Sequence, residues 1–302
     1  SKLSKSAKAV GKVVAGASIA VATTVATAGV AAVKSGIDYQ KQLANVSTLL
    51  TGTEAEISAR TAEIGKDILK VSNDTGVETA NLTDGMYQVI SAFGDSKDAM
   101  SILETSAKAA AAGNATTTDS VNLLSAVMKG YKDVSAESAQ KAADLSFATV
   151  RLGQTSFSEL ASSIGKVVPL SSALNVQQEE LYGVFATLTG VTGSTAEVAT
   201  QYKAVLSGLM TPSKDMTASL KKLGFSTADA AIKSLGFQGT LEALKGTVHG
   251  DEQAMAKLFS STEAQTAVLA MCGAQSENLT NKTAEMYTAT GAANAAFEKQ
   301  TN

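Results

Sequence analysis

The amino-acid sequence predicts an all-α protein: an irregular array of short helical hairpins preceded by an apolar, Ala/Val-rich N-terminal helix. Three observations lead there. Ala, Val and Leu dominate a hydrophobic fraction of 44%, aromatic residues make up only 5%, and two prolines interrupt 302 residues. Ala and Leu are among the best helix formers and Pro is the strongest breaker. Apolar residues recur at intervals of three and four, the helical period. Gly, Asn, Ser and Thr fall in short clusters between those stretches, where they cap and end helices. A chain of this length buries a sizeable core, in one large domain or two smaller ones.

Three segments are expected: a basic, apolar N-terminal helix over 1–36, a helical core over 37–225, and short C-terminal helices over 226–302 that end in a longer one. The first segment holds Lys2, Lys5, Lys8, Lys12 and Lys34 and no acid, a local +5, so the rest of the chain carries -8 within the net -3. From Val13 to Val33 run 21 residues without a charge. That is long enough to cross a bilayer as a helix, and lysines precede it as in an anchor or a signal peptide. Its large apolar side chains are Val13, Val14, Ile19, Val21, Val25, Val30 and Val33, offset by Ser18, three threonines and two glycines. At roughly -0.3 to -0.6 kcal/mol per good apolar residue, insertion is marginal. Three readings stand open: packing against copies of itself, with small residues allowing close approach; membrane insertion; and a cleaved signal. The lack of a Leu-rich stretch and the start at Ser, as in a fragment, count against the third.

After Gly36 the stripe Ile37, Leu43, Val46, Leu49 and Leu50 marks an amphipathic helix, restarted after Gly52. Thr53 followed by Glu56 has the capping-box spacing. A loose unit then recurs from Gly76, Gly113, Gly153 and Asn175, each time a cap region and a short helix with an apolar stripe. Ala-rich helices are expected over 96–112, 136–152 and 194–210. Pro169 should end the helix begun at Ser156 and push Val168 out of helical geometry. Pro212 should open a helix capped by Thr211, and Gly224 should close it. Stops are expected at Gly236, Gly246, Gly250 and Gly273. The stretch 274–302 reads as one helix that ends without a terminator, again as in a fragment.

Polar chemistry is sparse. One histidine, His249, and one cysteine, Cys272, rule out an intrachain disulfide and a His/Cys zinc site. His249 reads as a helix-end residue, and Cys272 as a buried inert thiol. Phosphate-loop and dinucleotide glycine motifs are missing. Three S-x-x-K matches, Ser138–Lys141, Ser163–Lys166 and Ser219–Lys222, lack the companion motifs of serine acyltransferases. Glu179 and Glu180 suit the positive end of a helix dipole. No catalytic, cofactor-binding or metal-ligating residue is assigned, and the chain reads as a non-enzyme.

Several segments then stand in a recognisable order. Asp38-Tyr39-Gln40-Lys41-Gln42-Leu43-Ala44-Asn45-Val46 follows the Ala-rich arm, a capped helix runs from Gly76 to Phe93, and an alanine run ends at Ala109–Gly113. Leu160-Ala161-Ser162-Ser163-Ile164-Gly165-Lys166-Val167-Val168-Pro169 leads to Ala173, Asn175-Val176 and Glu179-Glu180-Leu181. Leu206, Leu209, Pro212-Ser213, Leu220 and Leu223-Gly224 come next. In this order they resemble the core region of phage tail tape-measure proteins, over roughly residues 37–302. The chain departs from that family's pattern with Tyr39-Gln40 for Phe-Glu, Leu43 for Met, and Asn175 for a turn glycine.

The resemblance implies a structural protein in the virion, in the lumen of the tail tube, that sets tail length during assembly in the host cytoplasm. On infection it would leave ahead of the genome and act at the host inner membrane. The implied partners are tail-tube, tail-tip or baseplate-hub and tail-assembly chaperone proteins, without sequence-specific nucleic-acid binding. An Ala/Val-rich helix also suits a homo-oligomer of three or six copies. The alternative is a helical pore-forming or membrane-remodelling protein. One straight helix of the whole chain would reach about 450 Å, but the glycine stops forbid it. Either the measuring length lies outside this chain, or the short helices join inside the tube.

Overall fold

The computed structural model describes residues 29–301. Of the apolar segment, Val13, Val14, Ile19, Val21 and Val25 lie outside the described residues, and the side chains of Val30 and Val33 are likewise outside them. Sixteen α-helices and one 3-10 turn follow in order, with no strand among the described residues. The all-α expectation holds. The chain forms two compact units, one up to Ala111 with Thr116–Val121, the other Ala112–Ala115 with Asn122 onward.

The first unit comprises α1 (Gly29–Ser47), α2 (Glu54–Thr75), α3 (Thr79–Phe93), α4 (Ala99–Ala112, to Ala111) and the start of α5 (Thr117–Gly130). Helices α1, α2 and α3 pack on one another. Gly65 lets α1 approach: a Cβ there would lie 2.9 Å from Leu43 Cδ1. The Tyr39 hydroxyl donates to the Gly65 carbonyl at 2.7 Å. The capping box forms as the spacing predicts. Glu56 N–H donates to Thr53 Oγ1 at 3.3 Å, and Thr53 N–H donates to Glu56 Oε2 at 2.7 Å. Gly76, at φ 70°, closes α2 in the left-handed region. The Arg60 guanidinium then forks onto both Asp95 oxygens at 2.7–3.1 Å, tying α2 to the turn after α3.

The second unit holds the rest of α5, then α6 (Ala136–Leu152), α7 (Phe157–Ser163), the 3-10 turn Ile164–Lys166, α8 (Val168–Ala173), α9 (Gln178–Thr192) and α10 (Thr195–Met210). It continues through α11 (Lys214–Lys222), α12 (Ala228–Thr247), α13 (Glu252–Lys257), α14 (Thr262–Cys272), α15 (Ser276–Tyr287) and α16 (Ala292–Thr301). Helix α9 is the centre of this unit. Every residue from Gln178 to Thr189 is buried, because α6, α10, α12, α14 and α15 all pack on it. That explains its weak amphipathicity, since a helix covered on all sides needs no polar face. Gly183 leaves no room for a Cβ against Thr283, so α15 lies close on α9. Around this centre α14 covers α10 and α16 covers α6.

Three local expectations are corrected. The helix from Ser156 ends at Ser163, ahead of Pro169, and Val168 is the first residue of α8. Pro169 sits in the first turn of that helix, where its missing N–H leaves nothing unpaired. Thr211 closes α10, and the cap of α11 is Ser213, whose Oγ accepts from Met216 N–H at 3.1 Å. Pro212 therefore precedes the helix it was expected to open. The stretch 274–302 is two helices, α15 and α16, separated by a turn with Gly291 at φ 82°. Gly224 does close α11, at φ 85°, and Asn175 takes the left-handed turn at φ 61°.

Candidate functional site

The polar features of the second unit gather around the first turn of α9. Glu179 and Glu180 are both buried there, at 8% and 7% exposure, so they do more than face a dipole. Glu179 pairs with Lys141 of α6 at 2.7 Å. Glu180 accepts from its own N-cap, Gln177 N–H, at 3.2 Å, and from Phe237 N–H of α12 at 2.6 Å. One carboxylate thus caps two helix segments. Burial pushes its pKa up, while the N–H bonds from Gln177, Phe237 and Gln238 pull against that shift. Desolvation wins, as expected for an acid whose compensation is dipolar and carries no full positive charge.

Aromatic rings pack around Phe237, whose N–H donates to this carboxylate. Phe237 meets Tyr202 edge-on, with centroids 5.4 Å apart, and Tyr202 meets Phe185 in the same way at 6.4 Å. The Tyr131 hydroxyl donates to the Val176 carbonyl at 3.1 Å. Its pKa is raised, chiefly by burial and further by Tyr182, Glu179 and Glu180. Tyr182, wholly buried, shares a 2.9 Å hydrogen bond with Ser146.

A second buried acid does the same work on α6. Asp144, 3% exposed, accepts from Gly291 N–H at 2.8 Å and Ala293 N–H at 2.9 Å, and so caps α16. Gln140 donates to it as well, at 3.0 Å. Reading of the sequence passed over Asp144. The available signal was a lone acid inside the Ala-rich run Ala139–Ala148, directly between Ala143 and Leu145, which both suit a core. A cleft of about 490 Å³ opens beside it, lined by Glu137, Lys141, Asp144, Glu179 and Tyr287 among others. The Asp144 oxygens are held by backbone N–H groups and Glu179 is held by Lys141, so both buried acids lining this cleft are already engaged.

His249 is exposed at φ 59°, just past the end of α12, as a helix-end residue. Cys272 is buried on α14, and burial lifts its thiol to about 11, far from a reactive thiolate. In all three S-x-x-K pairs the serine is buried and the lysine exposed. No group of three or more His, Cys, Asp or Glu residues is placed to hold a metal among the described residues. What the arrangement does is cap helices across the fold, a mechanical role.

Comparison with known proteins agrees with the mechanical reading. The profile of the family described as phage-related minor tail protein matches residues 65–273, from α2 to the end of α14. A "Probable tape measure protein" of Clostridium phage phiCD119 is 25% identical over 316 residues, an alignment that covers 100% of this chain and 32% of that protein. The chain thus spans about a third of the length of this curated relative. No solved structure matches. With the family profile covering most of its length, this chain belongs to the phage-related minor tail protein family and is of the tape-measure type that its sequence resembles.

Proposed function

We propose that the chain is the core region of a structural tail protein that sets tail length during assembly and helps the genome across the host membrane at ejection. The observation that carries this reading is the family match across residues 65–273, joined by the alignment of the whole chain with a probable tape measure protein. The partners proposed are tail-tube, tail-tip or baseplate-hub and tail-assembly chaperone proteins, with three or six copies of the chain together in the tube lumen. Residues 1–36 serve self-association or membrane contact, 37–225 form the core, and 226–302 extend it.

Helix length limits what this region measures. The longest described helix, α2, has 22 residues, about 33 Å at 1.5 Å per residue. The measuring length is therefore proposed to lie elsewhere in the parent protein. The test is genetic: delete or duplicate helical segments in the phage gene and measure tails by electron microscopy. Altered or absent tails are expected, and tails of unchanged length and number would sink the reading.

The membrane step rests on Val13–Val33 alone, since no described helix is long and apolar enough to cross a membrane. That uncharged run also motivates the second reading, a helical pore former. Leakage of dye from liposomes by the purified chain, abolished by Val21→Asp, would favour it. Liposomes that stay tight would confine residues 13–33 to self-packing.

A further inference from the structure

Helix α12 is bent at a single residue. Gly236 has φ 77° and ψ 170°, yet the chain is helical immediately before and after it, so no loop separates the two halves. Glycine adopts that conformation at little steric cost, unlike residues with a side chain. Space is closed too: a Cβ on Gly236 would lie 2.7 Å from Glu180 Oε1. In a straight helix Phe237 N–H would bond to the carbonyl of Lys233, four residues back. Here Glu180 Oε1 takes that N–H at 2.6 Å. Phe237 supplies the second hold, with its ring fully buried edge-on to Tyr202.

Gly236 is one of the stops that the glycine pattern predicts, but the local sequence does not force a bend there. Ala228–Thr247 contains no proline, and its glycines weaken a helix by roughly 1 kcal/mol each relative to Ala without forbidding one. Straightening would return the Phe237 N–H from Glu180 to a backbone carbonyl, so that N–H keeps a partner in either form. What the bent form has in addition is tertiary: the Glu180 cap and the buried Phe237 ring. The contacts with α9 and α10 thus favour the bent form over a straight helix that local hydrogen bonding also permits.

We propose that Gly236 is a hinge latched by Glu180 and Phe237, and that release of this latch lets Ala228–Thr247 close into one continuous helix. The device would lengthen part of the helical array with no loss of helix, and it stands whether or not the tail reading holds. The test uses the full chain with Cys272→Ala and spin labels at Thr227→Cys and Gly246→Cys, both exposed positions flanking or ending α12. A straight helix separates those backbones by about 28 Å at 1.5 Å per residue. The bent protein should give its own single distance. Glu180→Ala and, separately, Gly236→Ala should each move the population to about 28 Å with helical circular dichroism retained. Either variant keeping the original distance, or losing helicity with no population near 28 Å, overturns the hinge.

Discussion

Six helix starts between Thr53 and Ser213 are capped by the residue immediately before them: Thr53, Thr116, Ser135, Ser156, Ser194 and Ser213. Beyond Ala228 two helical segments start differently. Phe237 gives its N–H to a carboxylate 57 positions away, and Gly291 and Ala293 give theirs to one 147 and 149 positions away. The same four orphan donors arise at every helix start, but in one region consecutive residues satisfy them and in the other a distant helix does. A local cap acts as soon as the turn forms. A remote cap acts only once α6 or α9 is in place, so the capping of those starts is a property of the fold. Asp251 and Ser261 show that the later region also uses local caps where it can.

The largest effect should come from Phe237→Ala, which empties a fully buried ring position beside the Glu180 cap. Loss of about 3–5 kcal/mol in chemical denaturation is expected. A loss under about 1 kcal/mol would mean that the bend does not rest on that ring. Next comes Asp144→Ala. It strips two charge-assisted bonds from the start of α16 and leaves Ala293 N–H buried, for about 2–3 kcal/mol. Hydrogen exchange should show the loss concentrated in residues 288–301, and uniform loss would argue against a remote cap.

Ser156→Ala probes the local kind. It should cost about 1 kcal/mol by the same denaturation assay, with exchange raised only in the first turn of α7. An effect as large as that of Asp144→Ala would erase the distinction between the two kinds of start.

The smallest effect is one of pH, and its sign differs between the local and the remote cap. The hydrogen bonds of the Glu56 capping box, the backbone N–H of Thr53 first, hold its carboxyl below the ordinary value. Its contribution is present above the ordinary glutamate pKa and fades as pH falls through the lower folded value. Burial holds Glu180 above the ordinary value. Its contribution is full below the ordinary pKa and declines as pH rises through the raised folded value. Denaturation midpoints measured through the acid range should therefore show opposite slopes removed by Glu56→Gln and by Glu180→Gln. Slopes of the same sign would refute the contrast.

Most of the elements were legible because helix starts, stops and apolar stripes are local patterns. The Thr53 box, the Ala-rich helices near 99–112, 136–152 and 195–210, and the left-handed Asn175 are all read from a few consecutive residues. The candidate site was half legible. Glu179 and Glu180 announced themselves as an acidic pair at a helix start, whereas Asp144 looked like an ordinary mid-helix acid.

By itself, then, the sequence determined the helical class, the periodic faces that must be buried, and the order of segments that marks the tape-measure type. The glycine pattern placed a stop at Gly236, but tertiary structure alone decided that Glu180 would cap the segment beyond it, that Asp144 would divide 274–302 into two helices, and that α9 would be covered on every side. The physical reason is distance along the chain. A cap three residues away costs little entropy to form, whereas one 57 or 147 positions away needs the intervening helices packed first.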